Sequence, residues 1–221
     1  MPLAGKGMLL TSMDVDAADE ANFNHWYDRE HLEERVAIAG FLEARRYVAH
    51  KASPKYLCLY STETFEVLDS PAYRAKLVSP TDWSVKTLAR FRNMIRAVAR
   101  ITVSRGTGRG AVLGVVRLRP HATEQHALRA TLKDRLDPGD RAGIVSMHLL
   151  ESDATLSKPI ADNPGASEPG AGDWYVLIDG TDVSAIESAI VACTAALKSP
   201  VIATGVYRLM WDLVKSDISA A

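Results

Sequence analysis

The sequence predicts an α+β fold in which two tandem βαββαβ units close on one another as a single antiparallel barrel with helices outside. Three observations carry this. Short runs with period-two alternation are separated by stretches with helical period. The order βαββαβ is complete by residue 105, and after Gly106-Thr-Gly-Arg-Gly110 the same order begins again. A four-stranded antiparallel sheet with both helices on one face leaves its other face apolar and its edge strands unpaired, so two such sheets satisfy each other by packing together.

Met8 to Val15 alternates as a strand, and Asp14 to Asp19 then supply turn and helix-capping chemistry. Between Asp19 and Ile38 the period is helical. On a regular 100° wheel Phe23, Trp26, Tyr27, Glu30, Glu34, Ala37 and Ile38 share one broad face, with His31 on its flank. Gly40 ends this helix, and Phe41 to His50 is a strand whose adjacent Arg45 and Arg46 must point to opposite sides. Ser53-Pro54 turns the chain into the apolar strand Tyr56 to Tyr60. Thr62 to Val78 is helical but broken at Ser70-Pro71, and Ser79-Pro-Thr-Asp82 starts a further short helix through Trp83 and Leu88. Arg92 to Ser104 alternates, with Ile95, Ala97, Ala99, Ile101 and Val103 on its apolar side.

In the second half, Ala111 to Arg119 is a strand and Thr123 to Leu136 a helix. Asp137-Pro-Gly-Asp140 is a turn, and Gly143 to Leu150 stands where Gly40 to Tyr47 stands in the first half. A long loop, Asp153 to Gly172, precedes the strand Trp174 to Ile178, the helix Val183 to Leu197 and the strand Val201 to Leu213. Each half is therefore a ferredoxin-like unit, residues 1–107 and 108–221, the second lacking the cluster of chemistry-bearing residues of the first.

Composition excludes several classes. With 47% hydrophobic and 24% charged residues the chain is an ordinary globular protein. A net charge of −1 gives no electrostatic reason to bind nucleic acid or an anionic membrane. The apolar stretch Ile186 to Leu197 falls short of the roughly 20 residues of a membrane span. Only Cys58 and Cys193 are present, which suggests buried free thiols and, with no signal-peptide pattern at the N-terminus, a cytoplasmic setting.

The candidate chemistry is concentrated between Asn22 and Tyr47. Tyr27, Glu30 and His31 lie within one helical turn, and a phenol, a carboxylate and an imidazole at that spacing can relay a proton to a small enolisable or aromatic substrate. Trp26 and Glu34 would line the same pocket, and Arg45 or Arg46 would clamp an anionic group. The alternative is structural: His31 bonded to a carbonyl, Tyr27 packed, and Glu30 paired with Arg45 or Arg46. His25 and His31 are not in His-Glu-x-x-His spacing and no cysteine-based haem attachment is present, so neither metal nor cofactor is expected. The Gly106 to Gly110 run leads into a strand rather than a helix and reads as a linker, not a phosphate loop.

These residues also carry a likeness. Phe-Asn-His-Trp-Tyr-Asp-Arg-Glu-His-Leu-Glu-Glu-Arg on a helix, followed by Gly-Phe-Leu-Glu-Ala-Arg-Arg-Tyr on a strand, resembles the EthD-like branch of the dimeric α/β-barrel superfamily, with Ala39 where that branch has proline. The likeness covers mainly Met8 to Arg105. It implies that Trp26, Tyr27, Glu30, His31, Arg45 and Arg46 are the positions to examine. It implies a small-molecule ligand and one of two roles: a cofactor-independent monooxygenase, isomerase or lyase, or a non-catalytic binding protein of the same fold. A homodimer of tandem-repeat chains is a further expectation from this fold.

Overall fold

The computed structural model describes residues 3–158, 170–195 and 197–218. Eight strands form one closed antiparallel barrel: β1 (Gly7–Asp14), β2 (Phe41–Lys51), β3 (Tyr56–Thr62), β4 (Arg92–Gly106), β5 (Val112–Leu118), β6 (Ile144–Ser152), β7 (Trp174–Gly180) and β8 (Val201–Val214). Around the barrel the order is β1-β3-β2-β8-β5-β7-β6-β4. Strands β4-β1-β3-β2 thus form one run and β8-β5-β7-β6 another. The runs join edge to edge, Glu43 to Lys51 of β2 against Val206 to Val214 of β8, and Ala99 to Gly106 of β4 against Ser146 to Ser152 of β6. Closure leaves no barrel strand with a bare edge.

Helices cover the outside. In the first half a helical run is continuous through α1 (Glu20–Trp26), one turn of π-helix (Tyr27–His31) and α2 (Leu32–Val36). A 3₁₀ turn (Phe65–Asp69) leads to α3 (Pro71–Val78), whose break at Ser70-Pro71 is a cap: Ser70 accepts from the Tyr73 amide. Thr81 likewise accepts from the Ser84 amide and starts α4 (Asp82–Leu88). The second half carries α5 (Gln125–Arg135), shorter than its sequence pattern, and α6 (Val183–Thr194), capped by Asp182; α7 (Lys215–Ile218) follows β8. Of the Asp153 to Gly172 loop, 159–169 lie outside the described residues.

Strand alternation divides the core into three layers. Phe23, Trp26, Tyr27, Leu32 and Val36 pack on the outward side chains of β1, β2 and β3. Leu128, Leu132, Ile186 and Ile190 pack on the outward side of the second run. The barrel interior is filled by Met8, Leu10, Tyr47, Leu57, Leu59, Ala97, Ala99, Leu113, Leu150, Tyr175, Leu177 and Tyr207. Val103, read from alternation as facing the same way as Ala97 and Ala99, packs outside, because the β4–β6 register shifts between Ile101 and Val103.

One end of the interior is polar. Arg45 reaches across to Asp179 at 3.2 Å, with both side chains almost wholly buried. Glu43 takes Arg109 at 2.5 Å and Ser61 at 3.2 Å. His148, fully buried, sits 3.0 Å from the hydroxyls of Ser104 and Ser146 and 3.6 Å from Asp179. At this end the chain also passes from β4 to β5. A Cβ on Gly110 would stand 1.9 Å from the Gly180 carbonyl oxygen, so the segment is packed against β7 by its own backbone.

Candidate functional site

The site residues expected from sequence separate onto two sides of one sheet. Trp26, Tyr27, Glu30, His31, Glu34 and Arg46 lie between or beside the helical run and the outward face of β1–β3. Arg45 lies inside the barrel. Its adjacency to Arg46 forces this, and Arg45 belongs to the interior ion pair rather than to the helix layer.

His31 differs from its expected place on the flank. It is 9% exposed and stacks on Trp26, ring centroids 4.0 Å apart at 29°, with Tyr27 edge-on at 5.2 Å. The cause is the π-helical turn. A wider turn advances less per residue than 100°, so positions after Trp26 lag the regular wheel, carrying His31 inward and Glu30 toward α4. Glu30 is consequently not bonded to His31. Its Oε1 accepts from Thr81 Oγ1 at 2.6 Å, Trp26 Nε1 at 3.1 Å and Ser84 Oγ at 3.2 Å. It does not pair with either arginine of β2, and Glu34 faces Lys76 at 3.7 Å.

Arg46 is wholly buried and is the electrostatic centre of the layer. Its guanidinium lies 4.3 Å from the Tyr27 ring centroid, 5.1 Å from Phe23 and 5.4 Å from Tyr56. Asn24 accepts from Nη2 at 2.5 Å and Asp28 from Nη1 at 3.2 Å. Asp28 also accepts from Trp211 Nε1 at 2.9 Å, tying β8 to the same helix.

Burial, then the Arg35 and Arg46 charges, hold the His31 imidazole well below its ordinary range, so the ring is neutral. Burial, then Cys58, raises the Tyr27 phenol, and burial lifts the Cys58 thiol to about 11. Five polar atoms in this layer are buried without a hydrogen-bond partner among the described residues: His31 Nδ1, Arg35 Nη1, Arg46 Nε, Tyr60 Oη and Thr11 Oγ1. On the outward sheet face Thr11, Cys58 and Arg46 form one cross-strand row and Leu9, Tyr60 and Ala44 the next. The His31 and Tyr60 rings are 6.3 Å apart. Each unpaired group costs about 1–3 kcal/mol. A carbonyl or phenol oxygen placed among them would be offered donors from Arg35 and Tyr60 and an acceptor or proton acceptor in His31.

Sequence reasoning missed Arg35, Tyr60 and Thr11. The signals were an arginine among inward-facing positions of the helix and polar groups on the outward parity of β1 and β3. It also missed Asp179 and His148, each a polar residue inside an otherwise apolar strand. Among the described residues no group of three or more His, Cys, Asp or Glu is arranged to hold a metal, and no helix is long and apolar enough to cross a membrane.

No family model matches this sequence, and no curated protein matches it. Solved structures do match, over nearly the whole chain. An anthrone oxidase-like protein aligns with a TM-score of 0.59 at 8% identity, covering 95% of this chain and 93% of its own. A Lactobacillus acidophilus protein provisionally assigned as a monooxygenase aligns at 0.56 and 8%, covering 96% and 97%. A variant chlorite dismutase from Candidatus Nitrospira defluvii aligns at 0.52 and 9%, covering 94% and 92%. At these identities the likeness is one of fold alone.

Proposed function

We propose that the chain is a small-molecule enzyme that works without a resident cofactor, by acid/base chemistry on a small hydrophobic or aromatic compound. Its site is the layer between the Glu20 to Val36 helical run and the outward face of β1, β2 and β3. The observation that carries this reading is the group of unpartnered buried atoms on His31, Arg35, Tyr60 and Thr11. Buried polar groups are as a rule hydrogen-bonded, and a cluster of them without partners beside aromatic walls is a place where a ligand would satisfy them.

In this reading neutral His31 takes a proton from an activated C–H or O–H of the substrate. Arg35 and Tyr60 stabilise the oxyanion that develops, and Trp26 and Tyr27 form the aromatic walls. Glu30 acts through Trp26, fixing the indole on which His31 stacks, and Arg46 holds Tyr27. Chemistry of this kind serves a monooxygenase, isomerase or lyase type, and neighbours in fold carry monooxygenase and anthrone oxidase-like names. A second reading, a non-catalytic ligand-binding or accessory protein, is favoured by one observation: the Glu30 carboxylate is committed to Trp26, Thr81 and Ser84, so no Glu30–His31 relay exists.

The same reading takes the chain as an EthD-like internal duplication, units 1–107 and 108–221, acting in the cytoplasm, with a homodimer of such chains as its assembly. The matching strand orders β4-β1-β3-β2 and β8-β5-β7-β6 support the duplication. The test is a ligand search by native mass spectrometry, followed by turnover of any captured compound in wild type and His31→Phe. Phenylalanine keeps the stacking and removes both ring nitrogens. Loss of turnover with the melting point retained supports the enzyme. Binding without turnover in wild type supports the accessory reading, and undiminished turnover in His31→Phe removes His31 from the mechanism.

A further inference from the structure

The end of the barrel opposite the Arg45–Asp179 pair opens into a cavity of about 50 Å³ that the His31 layer does not share. Its inner wall is apolar, made by Leu10, Leu57, Ile95 and Val115. Its polar lining is mostly committed. Ser12 donates to the Tyr56 carbonyl at 2.8 Å and Tyr207 to the Pro54 carbonyl at 3.1 Å.

Tyr175 is the exception. Its side chain lines the cavity, is 2% exposed, and its hydroxyl has no hydrogen-bond partner among the described residues. Burial raises its phenol, so it is a protonated donor at neutral pH. Beside it Arg117 and Arg119 share one fully buried carboxylate, Asp173. Arg117 Nε lies 2.6 Å and Arg119 Nε 2.7 Å from its two oxygens. Among the described residues these two guanidinium groups share one carboxylate, so the group carries a net positive charge, with Arg117 on the cavity wall and Arg119 half-exposed beside it. Arg117 commits Nε and Nη2 to Asp173 and leaves Nη1 without a partner among the described residues. The nearest acid on β1, Asp14, is occupied by the Lys55 amide and the Asn93 side chain.

We propose that this barrel mouth is a binding site for a short aliphatic monocarboxylate, the carboxylate taken by Tyr175 Oη and Arg117 Nη1 and the alkyl tail lying against Leu10, Leu57 and Val115. A donor pair with a net positive charge selects an anion, and the apolar wall selects a tail over a hydrated inorganic ion. The volume sets the length. One water needs about 10–15 Å³ of such space, so the cavity holds about four water-sized groups, which is room for the one to three tail carbons of an acid of two to four carbons whose carboxylate sits at the mouth.

The probe is butyrate, added to the full chain and followed through the methyl NMR signals of Leu10, Leu57 and Val115. Saturable shifts at these methyls are expected, with weaker binding by butyramide, which lacks the charge. Tyr175→Phe removes only the unpartnered hydroxyl and should leave the melting point unchanged or raised while weakening butyrate by about tenfold or more, the factor for a hydrogen bond to a charged group. His31→Phe should leave butyrate affinity untouched, which separates this site from the one proposed above. Absence of saturable binding, equal affinity in Tyr175→Phe, equal binding of butyramide, or shifts confined to the His31 layer would each overturn the proposal.

Discussion

Replacing Arg45 by Met tests how the barrel interior is held together. The guanidinium is 1% exposed and donates to Asp179, which is fully buried and whose second oxygen already lacks a partner. After the substitution Asp179 keeps only His148, at 3.6 Å, and that ring is held neutral chiefly by burial. A buried carboxylate stripped of its cation costs about 3–5 kcal/mol, against a usual total of about 5–15 kcal/mol. For a chain of this size each kcal/mol moves the melting point by about 2–4 °C, so a fall of roughly 6–20 °C is expected. The double variant Arg45→Met/Asp179→Leu removes both charges, and most of the loss should return, because apolar replacements of a buried pair are often neutral or better. Glu43 keeps Arg109 throughout. The assay is urea unfolding of wild type, both singles and the double, compared as a cycle at constant m-value. A single costing less than about 1 kcal/mol, or a double as costly as the two singles combined, would refute the reasoning and show that the layer is solvated.

Three further outcomes are expected. His31 and His148 stay neutral in the folded state below the ordinary histidine value of about 6.5, so the unfolded chain takes up protons first. Stability should therefore be complete above about pH 6.5 and fall below it by up to about 1.4 kcal/mol per unit per ring, and urea titrations of His31→Phe should show a shallower slope. Glu30→Ala leaves the Thr81 and buried Ser84 hydroxyls short of their shared acceptor, while Trp26 Nε1 keeps only Ser84 Oγ at 3.1 Å, costing about 1–3 kcal/mol and shifting tryptophan emission; an unchanged spectrum and midpoint would mean α4 is not anchored through Glu30. Gly110→Ala drives a Cβ into the Gly180 backbone and should cost about 1–3 kcal/mol. Gly108→Ala meets open space and should cost about 1–2 kcal/mol through its positive φ alone, so thermal midpoints that reverse this order would sink the packing argument.

Much of the fold was legible because its signals are local. The alternation of β1 to β8, the Ser70-Pro71 break and the Thr81 cap all report on neighbours within a few residues, and each element stands within a few residues of its expected place. The site was legible in part. Tyr27, His31 and Arg46 meet as the helix and strand pattern implied, and Arg45 points away as adjacency required. What failed was phase. Nothing in Tyr-Asp-Arg-Glu-His announces an i→i+5 turn, and that turn exchanges the surroundings of Glu30 and His31. The Arg45–Asp179 contact joins positions 134 residues apart in sequence, and a single sequence has no means of pairing them.

The seam between β2 and β8 has a consequence during synthesis. Glu43 meets its β8 neighbour only when Val214 has been made, so the barrel cannot close until nearly the whole described chain has left the ribosome. From the end of β4 at Gly106 to the end of its partner β6 at Ser152, and from the end of β2 at Lys51 to the end of β8 at Val214, synthesis at about 5–20 residues per second takes roughly 2–9 s and roughly 8–33 s, and for those times the edges of β4 and β2 stay bare. During that interval the second half of a neighbouring nascent chain offers the same edges in the same register. Ribosomes crowded on one messenger should therefore yield reciprocally exchanged pairs, each barrel built from two polypeptides, and slower initiation should lower their share.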